Sequence, residues 1–179
     1  RTDVNNTYAL AVKETFAEDH NLETLSDLTE LASSGDVDLT VGVGFEFFER
    51  PDGFPALTDH YGMEVPRRNV KTMELGLTYE ALDRGDIDVA MVFATDGKLR
   101  KFGLKVLEDD KNFFTPYHLA FAARQEFLDM YPEVVDILTP LAETLTADIM
   151  INLNYQVDAE QMEPGNVAEG FLQDEGLID

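Results

Sequence analysis

Residues 85–97, GDIDVAMVFATDG, carry the most strand-like run in the chain. Ile87 to Phe93 is apolar and β-prone, and the turn text Thr95-Asp96-Gly97 ends it. Upstream, Thr78 to Arg84 reads as a helix closed by Gly85, and Val70 to Glu74 as a short extended piece. Further back, Asp38 to Val43 (DLTVGV) is a second strand that runs through Gly42 and Gly44 into a helical turn, Phe45 to Arg50. The breaker Pro51-Asp52-Gly53 follows, and helical text resumes from Pro55 to Tyr61. At the start, Tyr8 to Lys13 (YALAVK) reads as a strand, followed by helix to about Asn21 and a second helix, Ser26 to Ala32, begun by a capping Ser. Downstream, another short helix precedes two more expected strands, Leu104 to Leu107 and Tyr117 to Ala123 (YHLAFAA). Helices are then expected near 124–130, 132–144, 146–154 and 164–175. Strands alternating with helices predict a parallel or mixed α/β sheet. The tail does not alternate, so it reads as part of another lobe whose own sheet is missing.

The chain has 179 residues, enough for one domain or two small lobes, and 44% of them are hydrophobic, which supports a core. Thirty-six Asp and Glu against thirteen Lys and Arg leave a formal charge of −23. That charge repels phosphate backbones and anionic lipid, so no nucleic-acid partner is expected. The acids fall on exposed helix faces and loops, and only six lysines stand beside seven arginines; this is the surface expected of a protein working in strong salt. No EF-hand spacing supports a calcium site. No apolar run approaches the roughly 20 residues that cross a bilayer, and the first residues lack a signal-peptide pattern. Without cysteine there is no disulfide, thiolate metal site or thiol nucleophile, and three scattered histidines supply little else.

No phosphate-loop, nucleophile-elbow, zinc-protease or dinucleotide-binding motif occurs, so the chain reads as a non-enzyme with no cofactor. Gly42 and Gly44 end a strand before a helical turn, where backbone N–H groups could meet an anion; easing a tight turn explains them equally well. The informative pattern is aromatic and lies at strand ends: Tyr8 opens the first strand, Phe93 closes the strongest, and Tyr117 opens the last. Loops at strand ends are where α/β folds hold ligands, and ring faces attract cations that lack hydrogen-bond donors. Core packing is the alternative role for each ring. Glu46 and Arg50 are four apart and share a helical face, either as an ordinary ion pair or with the arginine free to hold a carboxylate bidentately.

On NNTYALAV (5–12), FFERPDGFPALTDHYG (47–62), ATDGKL (94–99), LEDDKNFFTPY (107–117) and LNYQVD with VAEGFLQDEGL (153–177), the chain resembles the substrate-binding proteins of glycine betaine/carnitine/choline ABC importers. The resemblance implies a type II periplasmic-binding-protein-like α/β fold: a mixed-sheet lobe with flanking helices, plus the C-terminal helical part of a second lobe. It implies a first crossing segment at 1–9, lobe two at 10–115, and at 116–179 a return crossing and the helical part of lobe one. The N-terminal half of lobe one is expected to be absent from this sequence. Family ligand contacts fall on Asn6, Tyr8, Glu46, Arg50, Phe93 and Tyr117. By that resemblance Tyr8, Phe93 and Tyr117 wall a trimethylammonium group and Arg50 binds a carboxylate. Two positions depart from the pattern: Phe93 stands where relatives more usually have Tyr, and Asn6 where some have Asp. Both changes are expected to favour a zwitterion such as betaine over a bare cation such as choline.

The function so implied is extracytoplasmic capture of a quaternary-ammonium osmolyte and its delivery to a membrane permease, with the complete protein anchored at the membrane. The partners are that small ligand and the permease, and the fragment is expected to self-associate through its C-terminal helices. Two alternatives stay open on the sequence: the effector-sensing domain of a regulator with the same fold, and an enzyme built on a closing two-lobed α/β fold.

Overall fold

A computed structural model describes residues 1–179 and divides them into two compact units. The larger holds 7–94 and 99–115; the smaller holds 1–6, 95–98 and 116–179.

The larger unit is built on one sheet of five strands, β1 (Tyr8–Lys13), β2 (Val41–Gly44), β3 (Val70–Met73), β4 (Val89–Phe93) and β5 (Leu104–Val106), in the order β3-β2-β4-β1-β5. β2 runs parallel to β3 and β4, while β1 runs antiparallel to both β4 and β5, so the sheet is mixed. Val89 to Val92 are at most 1% exposed. Their unbroken apolar run follows from being covered on both faces, which removes the polar alternation of a half-exposed strand. Leu10, Val12, Val89 and Met91 point to one face, into a core shared with Ala17 of α1 (Glu14–His20), Leu25 and Leu28 of α2 (Leu25–Ser34) and Leu57 of α4 (Phe54–Tyr61). Each such leucine contributes about 1.5–3 kcal/mol by leaving water. The small residues Ala11 and Ala90 alternate to the other face, and α5 (Leu75–Asp83) packs on the sheet with Tyr79 and Leu82 buried.

Several expected boundaries shift. α2 begins at Leu25, and its cap is Thr24, not Ser26: the Thr24 hydroxyl accepts from the Asp27 N–H, and the Asp27 carboxylate accepts from the Thr24 N–H. This reciprocal box satisfies two of the orphan donors at the helix start, and leaves the Ser26 hydroxyl to bond Asp110 at 2.6 Å. α5 starts at Leu75, three residues earlier than expected, directly from the end of β3. α3 (Phe45–Glu49) and α6 (Lys98–Lys101) are single turns. A Cβ on Gly42 would stand 2.4 Å from Ile87 Cδ1, so any side chain there requires the isoleucine tip to shift.

The smaller unit contains α7 (Gln125–Met130), α8 (Glu133–Thr144), α9 (Ala147–Asp158) and α10 (Pro164–Asp174), near the four expected positions. The strand expected at Tyr117 to Ala123 does not form. Only His118 bridges, to Asn5, and the backbone bonds join 117–119 to residues 2–6: Thr2 N–H to Leu119 O, Leu119 N–H to Val4 O and Asn6 N–H to Tyr117 O. The apolar text of this segment suits a sheet, yet its backbone pairs with that short N-terminal stretch and with no strand, and Leu119 and Phe121 stay exposed. No helix of the chain is long and apolar enough to cross a membrane.

A Cβ on Gly53 would lie 2.0 Å from the Phe47 carbonyl oxygen, inside the turn closed by the Gly53 N–H to Arg50 O bond. Gly53→Ala is therefore expected to cost about 1–3 kcal/mol in chemical denaturation, the scale of an overpacked site. Asp27 titrates below the ordinary carboxylate range, chiefly because the Glu23 and Thr24 N–H groups bond its charged form. A depressed folded value stabilises the fold above the unfolded pKa of about 4, and that contribution is lost as pH falls through the folded value. Unfolding free energies measured from neutral to acid pH should accordingly fall less steeply in Asp27→Asn than in the wild type.

Candidate functional site

Antiparallel pairing sets Tyr8, the first residue of β1, directly opposite Phe93, the last of β4. Both lie at the edge where the parallel strands β2 and β4 end, the edge at which open α/β sheets take ligands. The two rings stack with centroids 5.1 Å apart. Behind them, Phe47 of α3 tilts against Tyr8 at 5.8 Å and stacks on Phe114 at 6.1 Å. Phe47 is buried, whereas Phe93 is 38% exposed, so Phe47 backs the corner and Phe93 presents a face. The Phe93 N–H donates to the hydroxyl of Tyr79 (2.9 Å), a fully buried side chain of α5 that fixes the strand end. The Ala94 N–H donates to Thr7 O just beyond the ring pair.

A second group of bonds holds the loop that carries Phe114. The Asp109 carboxylate accepts from the Phe113 N–H (2.9 Å) and the Phe114 N–H (2.7 Å), and the Tyr61 hydroxyl donates to it. Burial first, then the bond to Asp109, pushes the Tyr61 phenol above its ordinary range, so it remains a donor.

Arg50 follows α3 in the same unit. It faces Glu46 across one helical turn at 3.7 Å, as the spacing predicted, but its main partner is Asp52. Arg50 Nε donates to Asp52 Oδ1 at 3.0 Å and Nη2 to Oδ2 at 2.6 Å. The bond to Asp52 and then its charge hold the guanidinium still more firmly protonated, with Glu46 and lastly Tyr8 adding to the hold.

Of the six residues singled out from sequence, Tyr8, Glu46, Arg50 and Phe93 thus belong to the larger unit, and Asn6 and Tyr117 to the smaller. There Asn6 Oδ1 accepts from the Thr95 hydroxyl (2.8 Å), while Asn154 Nδ2 donates to Thr95 O (2.7 Å). The Tyr117 N–H donates to Asn5 Oδ1, and the Tyr117 ring is 66% exposed. Sequence reasoning missed Phe47, Phe114 and Asp52. Phe47 stands three residues before Arg50, a spacing that puts both on one helical face; Asp52 shares with Arg50 a tight turn marked by Pro51 and Gly53.

Residues 1–174 match the family model described as the substrate binding domain of an ABC-type glycine betaine transport system. The chain belongs to this family. It is 37% identical to a glycine-betaine-binding protein of Pseudomonas aeruginosa over 99% of this chain and 59% of that protein. It is 36% identical to a carnitine transport binding protein of Listeria monocytogenes over 94% of this chain and 53% of that one. The chain therefore spans between half and three fifths of the length of these relatives. Among solved structures, a glycine betaine/carnitine/choline ABC transporter protein superposes with a TM-score of 0.91 at 36% identity, covering 98% of this chain and 62% of that one. The ligand-free YehZ protein of Escherichia coli gives 0.85 at 26%, covering 99% and 64%. These matches agree with the expected periplasmic-binding-protein-like α/β architecture. They do not favour the regulator or enzyme alternatives, because the matched family and relatives are transport binding proteins.

Tyr79→Phe removes the acceptor of the Phe93 N–H while leaving the buried ring in place. An unsatisfied donor of this kind costs about 1–3 kcal/mol, and denaturant titration of the variant should show a loss of that size.

Proposed function

We propose that this chain is the solute-binding part of an ABC importer that captures glycine betaine or a related quaternary-ammonium osmolyte outside the cytoplasm and delivers it to a membrane permease. The observation that carries the reading is the stacked Tyr8–Phe93 pair at the ligand edge of the sheet, in the same unit as the Arg50 guanidinium. A trimethylammonium group has no N–H to donate, so acceptor oxygens gain little from it, and ring faces attract it by about 0.5–1 kcal/mol when exposed and about 2 or more when desolvated. The carboxylate of a zwitterion needs a cationic fork, which Arg50 supplies.

In this reading Tyr8 and Phe93 wall the cation and Arg50, with Glu46 beside it, meets the carboxylate end; Asn6 and Tyr117 have binding duties in the smaller unit. No step of chemistry is assigned to any of them. Membrane anchoring of the complete protein and association through the exposed apolar residues of α7 and α8 belong to the same proposal, as does a saline working medium, which the charge of −23 supports.

Calorimetric titration of the intact protein in molar salt with glycine betaine, carnitine and choline tests it. Glycine betaine should bind more tightly than choline, since Arg50 rewards a carboxylate and Asn6 offers the bare cation no charge. Tyr8→Ala and Tyr117→Ala should each weaken binding at least about tenfold. Absence of heat with all three solutes, from a folded protein, would overturn the reading.

A further inference from the structure

The arginine fork that the proposed function gives to a ligand carboxylate is already holding one. Asp52 meets Arg50 side-on through Nε and Nη2, the parallel two-bond geometry that any bound carboxylate would adopt. The turn between them builds this pairing in. Pro51 fixes one backbone angle, the Gly53 N–H closes onto Arg50 O at 3.0 Å, and Gly53 has no room for a side chain. What remains of the guanidinium is its Nη1 side, and Glu46 stands 3.7 Å from that nitrogen. Arg50, Asp52 and Glu46 together carry one positive and two negative charges, so an incoming carboxylate meets a net negative charge and an occupied Nε/Nη2 face until Asp52 yields.

We propose that Asp52 is a specificity-determining residue, a resident carboxylate that competes with a solute's carboxylate for Arg50 and so limits the preference for a zwitterion over a bare cation. The proposal rests on the reading of Arg50 as the carboxylate contact. Competition is feasible because both side chains are exposed, 46% for Arg50 and 71% for Asp52, and an exposed ion pair is weak enough to exchange. It is not a proton switch: the hydrogen bond from Arg50 holds the Asp52 carboxyl below its ordinary range, so Asp52 stays ionised at neutral pH. A cation such as choline makes no demand on Arg50 and does not enter the competition.

Titration of the intact wild type, Asp52→Asn and Asp52→Ala with glycine betaine and with choline reads the effect. Both variants should raise the ratio of betaine to choline affinity by about three- to fivefold, the scale of one exposed ion pair. A ratio that is unchanged or lower in folded variants overturns the proposal and makes Asp52 a support that orients Arg50. A second readout is independent of either solute: phenylglyoxal modification of Arg50, followed by peptide mass mapping. If the wild type binds neither solute, the proposed function fails and this readout decides whether Asp52 blocks access to Arg50: several-fold faster modification in Asp52→Asn sustains the block, and equal or slower rates overturn it.

Discussion

The antiparallel insertion of β1 between β4 and β5 is the constraint on which the rest of the larger unit depends. A parallel β1 would put Tyr8 at the opposite end of the sheet from Phe93; antiparallel pairing brings the first residue of one strand against the last of the other. Register is held by burial, since Leu10 pairs with Met91 and both lie in the core. A slip of one residue would turn Leu10 and Val12 out of that core and reverse the face on which the Tyr8 ring stands. The pairing energy of two central strands thus also fixes the position of two rings, and no separate device is needed to bring them together.

The corner is kept rigid from behind. Phe47 packs on Tyr8, Phe114 packs on Phe47, and Asp109 pins the Phe114 backbone with the help of the buried Tyr61 hydroxyl. Tyr79 does the same for Phe93 from the α5 side. A recognition surface made of ring faces, as the proposed function has it, benefits from this, because little side-chain freedom remains to be lost when a solute arrives. The ion pair of Arg50 and Asp52 is the exposed part of this arrangement.

Much of this was legible in the sequence. Strand and helix order, the mixed sheet, the helical tail and the aromatic residues at strand ends follow from periodicity and turn chemistry, and the family follows from the motif segments. What failed was local competition. Ser26 and Thr24 are both capping residues, and only the reach of Asp27 back to the Thr24 N–H decides between them. Tyr117 to Ala123 has the composition of a strand, but forming one requires a neighbouring sheet, which lies outside any local pattern. At the site, Glu46 was legible as a helical partner of Arg50 from spacing; Asp52 was not, because a pairing across a proline turn depends on the turn geometry that Gly53 permits.

Under the proposed function, the same contrast explains why the cation end of the site is aromatic in so acidic a chain. Thirty-six carboxylates attract every cation in the medium, and at molar ionic strength their field fades within about 3 Å. A carboxylate cage would hold sodium or potassium as readily as an organic cation. A quaternary ammonium group differs from those ions in being large, weakly hydrated and without donors, and ring faces respond to those properties. They keep their attraction in salt because the interaction acts at contact and does not depend on a field through water. In that reading the charged groups are left for the other end of a zwitterion, where Arg50 and Asp52 form an exposed pair. In the proposed reading, discrimination against inorganic ions comes from the aromatic half, and discrimination among organic solutes from the exposed ionic half.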